Sequence, residues 1–157
     1  MSDRFIIKRG GNGDSGGENK YFKAMVTRSI TEVTADMWQG ITSIGCGAFV
    51  LCDSLTSVEI PNIVTSIGSY AFSYCTSLTS VEIPNSVTSI YHQVFLECRS
   101  LTSVKVKSTT PPTLGSDVFY NTNANLVIYV PATSVDAYKA ANNWSTYASK
   151  IQEIPSD

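Results

Sequence analysis

A single histidine and four cysteines are spread over 157 residues. There is no C-x-x-C pair, and His92 has no partner at metal-ligand spacing, so no zinc site is expected. No apolar run reaches the roughly 18 residues of a membrane-spanning helix, and no membrane insertion is expected. The start does not read as a signal peptide. Its apolar run, Phe5-Ile6-Ile7, has three residues, against about seven to fifteen in an export signal. The glycines that follow, in RGGNGDSGGENK, form no phosphate loop, because no G-K-[ST] follows and no strand leads in. No cofactor is therefore expected. The net charge of −2 is uneven: residues 1–28 hold six basic against three acidic residues, and the remainder five against ten. An acidic body excludes nucleic acid as its main partner.

What is present is a repeat. Leu55 to Ser77 reads LTSVEIPNIVTSIGSYAFSYCTS, and Leu78 to Ser100 reads LTSVEIPNSVTSIYHQVFLECRS, with 15 of 23 positions identical. A fixed period of this size marks a stacked architecture. One unit buries too little to fold alone, but stacking turns its apolar positions into ladders. The expected rungs are Ile44, Ile67 and Ile90; Phe49, Phe72 and Phe95; Cys52, Cys75 and Cys98; Leu55, Leu78 and Leu101; Val58, Val81 and Val104. A fourth unit follows with one residue inserted, so that Leu114, Val118 and Phe119 recur 24 residues after Ile90, Val94 and Phe95. LVIYVP at residues 126–131 supplies a last strand.

The pattern L-x-x-V-x-I-P-x-x-x-V-x-x-I-x-x-x-A-F-x-x-C, over roughly residues 30–151, resembles the BspA-like leucine-rich repeats of bacterial surface proteins. It departs from the common leucine-rich pattern at position nine, where Ile63 and Ser86 stand and Asn62 and Asn85 come one place early. The resemblance implies a curved, β-rich solenoid with short helical turns, here of about four to five coils with a C-terminal helical cap. It also implies adhesive or protein-binding roles and an extracellular or cell-surface location.

The chain divides into a flexible glycine-rich arm (1–20), an atypical first repeat and cap (21–54), the repeats and last strand (55–131), and a C-terminal cap (132–157). In that cap, residues 133–143 read as a helix with Thr133 as N-cap. Val135, Tyr138, Trp144 and Ile151 are expected to cover the last coil near Leu126 and Ile128. Laddered cysteines run parallel rather than face to face, so Cys52, Cys75 and Cys98 are expected as reduced core thiols. Cys46 falls off that ladder, in register with Ser69 and His92.

Glu59 and Glu82 are the pair with most catalytic promise. Register puts them about 5 Å apart, near the spacing of a retaining glycosidase. An open face offers no cleft to grip a sugar or to tune one acid, and Lys105 on the next rung would offset their repulsion. No acid and nucleophile accompany His92. No enzyme is expected. Asn143-Trp144-Ser145 fits the glycosylation triplet. The expected function is a protein-interaction or adhesion module of a bacterial cell-surface protein, with a protein ligand such as host extracellular matrix or another bacterial surface. Its face would be the outward row Thr56, Glu59, Thr79, Glu82, Thr102 and Lys105. The alternative is a structural or display appendage of a phage-encoded or assembly protein, with the amino-terminal arm as docking segment.

Overall fold

The structure is a computed structural model. It describes residues 30–34, 38 and 40–157 in full, and residues 6–10 and 21–25 as backbone. Each 23-residue unit contributes two short strands to two different sheets. The first sheet holds β1 (Ile6–Gly10), β2 (Tyr21–Met25), β4 (Ser43–Ile44), β6 (Ser66–Ile67), β8 (Ser89–Ile90) and β10 (Thr113–Leu114), in that spatial order. The second holds β12 (Ile151–Glu153), β11 (Val127–Val130), β9 (Ser103–Val106), β7 (Ser80–Ile83), β5 (Ser57–Glu59) and β3 (Glu32–Val33). Among the described residues all pairings are parallel except β1 with β2. Parallel strands follow because every coil returns to the same starting point one rung further along. Ile6–Gly10, inside the stretch that reads as a flexible arm, is a paired strand. Residues 1–5 and 11–20 of that stretch lie outside the described residues.

The strands are short because each coil bends at its rims. Val58, Val81 and Val104 face inward in register on one sheet, and Ile44, Ile67, Ile90 and Leu114 on the other. Between the sheets runs the phenylalanine ladder. Phe49, Phe72, Phe95 and Phe119 stack with ring centroids 5.0, 5.5 and 5.7 Å apart and planes within 8° of parallel. Beside them the buried thiols of Cys75 and Cys98 donate to the carbonyls of Phe49 and Phe72 one coil back, at 3.2 and 3.0 Å. Burial pushes the Cys98 thiol up to about 12, and Cys75 is raised too, by burial first and by its cysteine neighbours second. These are inert core groups. Cys46 is exposed.

A third side of the stack is made of turns, and there the backbone takes an unusual form. Gly47, Tyr70, Gln93 and Asp117 occupy one column with φ between 54° and 64°, and Leu51, Tyr74, Glu97 and Asn121 another with φ between 54° and 63°. A left-handed conformation costs a bulky residue on the order of 1–3 kcal/mol. What offsets it is a bond to the next coil: the Leu51, Tyr74 and Glu97 amides donate to Ser73, Leu96 and Tyr120 carbonyls at 2.8–2.9 Å.

The carboxyl end departs from expectation in two ways. The first turn is a 3-10 segment, Ala132–Ser134, and α1 spans only Val135–Ala140, so Ser134 and not Thr133 precedes the helix. Ser134 caps nothing, because its hydroxyl donates to the Thr109 carbonyl at 2.7 Å. Ile151 lies beside Ile128 as expected, but as part of a further strand, β12, that pairs with β11. Tyr138 and Trp144 are fully buried in one cluster with Leu126 and Ile128. The Tyr138 hydroxyl and the Trp144 indole donate to the Ser108 and Pro112 carbonyls, and Trp144 lies against Phe119. The last ring of the ladder, Phe119, is covered there too. Trp144 meets it at 6.3 Å and Tyr147 edge-on at 5.1 Å. Trp38 lies against Phe49 at the other end, 5.9 Å away.

Candidate functional site

On the second sheet, inward Val58, Val81 and Val104 force their neighbours outward. Ser57 and Glu59 lie in β5, Ser80 and Glu82 in β7, Ser103 and Lys105 in β9, and the pairs are in register across the three strands. Val127 and Tyr129 continue the two rows on β11. Glu59 and Glu82 are exposed and Lys105 is half-buried. The two glutamates border, with Val58 and Ile60, an open hollow of about 300 Å3. The ion pair that steadies Glu82 comes from Lys107, at 2.7 Å, and not from Lys105. Both side chains are 51% exposed, so the pair is worth at most about 1 kcal/mol.

Thr56, Thr79 and Thr102 are exposed but stand ahead of the strands, on the rim. Thr56 Oγ1 donates to the Thr31 carbonyl at 3.0 Å and Thr102 Oγ1 to the Thr79 carbonyl at 3.4 Å. These hydroxyls stitch successive coils together. Strict alternation pairs Glu59 with Ser57 on the outward face. The flat sheet surface thus includes Ser57, Ser80, Ser103 and Tyr129, which a reading of the repeat as T-x-x-E passes over. The period-two rule, applied outward from the buried valine, finds them.

Other candidates resolve into structural roles. His92 Nδ1 accepts the Ser116 amide at 2.9 Å and lies 3.0 Å from the Ser116 hydroxyl, tying one turn to the next. Asn143 of the glycosylation triplet donates its side-chain amide to the Leu114 carbonyl at 2.7 Å, and Trp144 is buried beside it. Asn62 Oδ1 accepts the Ser86 amide at 3.2 Å, one rung of an asparagine contact displaced from the usual position. No group of His, Cys, Asp or Glu side chains among the described residues is arranged to hold a metal ion.

The family model described as a BspA type leucine rich repeat region matches residues 18–146, in six copies. The chain belongs to the BspA-type leucine-rich repeat family. A leucine-rich repeat protein from Bacteroides ovatus ATCC 8483, known from a crystal structure, is similar at 26% identity with a TM-score of 0.53. The similarity covers 74% of this chain and 31% of that protein. This chain therefore spans about a third of that relative's length. A search of curated proteins returned no match. BspA-type repeats are generally non-enzymatic modules of protein–protein interaction, and no catalytic family is indicated. Among the described residues no helix is long and apolar enough to cross a membrane.

Proposed function

We propose that this chain is an adhesive protein-interaction module of a bacterial surface protein, and that it binds its ligand through the outward face of the second sheet. The observation that carries this is the register itself. Glu59 and Glu82 are exposed at corresponding places on neighbouring strands, Lys105 follows at the third, and Ser57, Ser80 and Ser103 run in a parallel row. Such a surface is rigid before the partner arrives, so little ordering entropy is lost on binding. Its charges choose the partner and speed encounter more than they add affinity. The docking-arm alternative receives no support from β1, which pairs with this chain's own β2.

The test uses the full chain as bait against host extracellular matrix and bacterial envelope extracts. The partner so captured is then titrated with wild type and with a Glu59→Lys, Glu82→Lys variant. Binding should weaken about tenfold or more, while the Tm stays within a few degrees because neither side chain is in the core. Unchanged binding would move the site off this sheet.

A further inference from the structure

The first sheet carries a separate feature that the protein-binding reading does not use. Between the outward rows of β4 and β6 and the turns after them lies a hollow of about 480 Å3. It is lined by Ser43, Thr65, Ser66 and Ser69, by Gly45, Gly68 and the exposed Cys46, and by Tyr91 of the next coil. The Thr65 hydroxyl already donates to the Thr42 carbonyl at 3.1 Å and is left to accept. Tyr91 is the unusual member. It occupies a column in which the other coils place Gly45, Gly68 and Gly115. The fold favours glycine there: a Cβ on Gly68 would lie 2.7 Å from the Cys46 nitrogen, and one on Gly115 2.5 Å from the His92 nitrogen. The aromatic that breaks this column is not recruited to the core, since Tyr91 is 50% exposed.

The lining decides among ligand classes. None of the described lining residues is charged, so a phosphate or other anion would find no countercharge. An added peptide strand is excluded, because β4 and β6 already have neighbours on both sides. A purely apolar ligand would meet mostly hydroxyls. Serine hydroxyls that can donate and accept, with the Thr65 oxygen as a further acceptor, recur at the strand spacing beside a half-exposed aromatic ring and suit a neutral ligand rich in hydroxyls with apolar C–H faces. We infer that this hollow is a binding site for a neutral glycan, with Tyr91 as its stacking platform. It lies on the sheet opposite the protein-binding face and does not depend on it.

The test is an amide chemical-shift titration of the full chain with cellohexaose, maltohexaose and xylohexaose. At least one should move the resonances of Ser66, Gly68, Ser69 and Tyr91. Tyr91→Gly, which restores the residue of the neighbouring coils and should leave the Tm unchanged, should weaken that binding about tenfold or more. Glu82→Lys should not affect it. The proposal is overturned if none of the three sugars shifts these amides at about 5 mM, a range in which even weak sites are seen. Shifts that map elsewhere, or affinity indifferent to Tyr91→Gly, would overturn it as well. Equal shifts from inorganic phosphate would also refute it, since they would show an anion site.

Discussion

The interior of the stack and its carboxyl end satisfy the same atoms by different means. In the interior, each coil is completed by the backbone of the next. The amides of Phe49, Phe72 and Phe95 donate to the carbonyls of Ala71, Val94 and Val118 at 2.7–2.9 Å. The carbonyls of Ile44, Ile67 and Ile90 accept from Gly68, Tyr91 and Gly115 at 2.7–3.0 Å. At the carboxyl end no further coil follows among the described residues, yet both series continue by one rung. The Phe119 amide donates to the Tyr147 hydroxyl at 3.3 Å, and the Leu114 carbonyl accepts from the Asn143 side-chain amide at 2.7 Å. Side chains of the cap stand in for a missing backbone. Trp144 likewise takes the place of the next phenylalanine, and its Nε1 donates to the Pro112 carbonyl at 2.8 Å. A repeat can be ended by polar mimicry as much as by covering its apolar surface.

If the cap replaces a coil, removing it should do more than lower stability. Deleting residues 133–157 takes away β12 and bares the β11 edge together with Phe119. Unpaired parallel edges recruit other chains. Light scattering should show aggregation of the truncated chain, whereas a monomer melting like the full chain would show that the end needs no cover.

The next effect in size compares a cap ring with a ladder ring. Trp144 is 0% exposed, and Trp144→Ala should cost roughly 3–5 kcal/mol. Phe72→Ala, in the middle of the ladder, should cost a similar amount. At roughly 2–4 °C per kcal/mol for a chain of this size, both lower the Tm clearly. A Trp144 variant that melts within about 3 °C of wild type would break the equivalence.

The comparison also explains what could be read from the sequence. The ladders were legible because the period repeats and each rung has the same chemistry: Phe49 to Phe119 and Ile44 to Leu114 all fall where the spacing places them. β12 was not, since Ile151-Gln152-Glu153 repeats nothing and becomes a strand only because β11 offers an edge. Tyr138 and Trp144 were legible as buried over the last coil, but their bonds to the Ser108 and Pro112 carbonyls were not, because nothing local points to those partners. Tyr147 and Asn143 were invisible in their roles, because mimicry of a backbone group leaves no period. The left-handed columns hid for another reason. Leu51 and Tyr74 are residues that resist that conformation, so propensity points away from it. At the candidate face, Glu59, Glu82 and Lys105 were legible by register, whereas the serine row needed the strand's true limits.

Mimicry predicts a smaller, more specific effect at Tyr147. Tyr147→Phe keeps the ring against Phe119 and removes only the oxygen, leaving the Phe119 amide without its acceptor. A loss of about 1–3 kcal/mol is expected. The matching control, Tyr120→Phe, alters an exposed ring and should change little. Equal effects in the two variants would show that the hydroxyl contributes nothing as a surrogate carbonyl.

The smallest effect lies where the interior begins to give way to the end. The column of Leu51 and Tyr74 continues as Glu97 and Asn121, and here side chains join the coils as well as backbone. Asn121 Nδ2 and Arg99 Nε each donate to the Glu97 carboxylate at 2.8 Å, while Arg99 Nη2 lies 2.7 Å from it. The Asn121 bond first, and the Arg99 bond second, hold this carboxyl below the ordinary carboxylate range. In the unfolded chain it titrates near the usual value of about 4.3. The folded state therefore binds this proton less tightly than the unfolded state does. The resulting stabilisation is present above pH 4.3 or so and is lost as pH falls through the lower folded value. Glu97→Gln retains an acceptor for Asn121 but cannot titrate. Thermal melts of the two proteins should therefore differ most near neutral pH and converge as the pH falls below about 4. A difference that stays constant down to about pH 2.5 would mean that the network acts only through packing, and that the charge on Glu97 has no part in joining the third coil to the fourth.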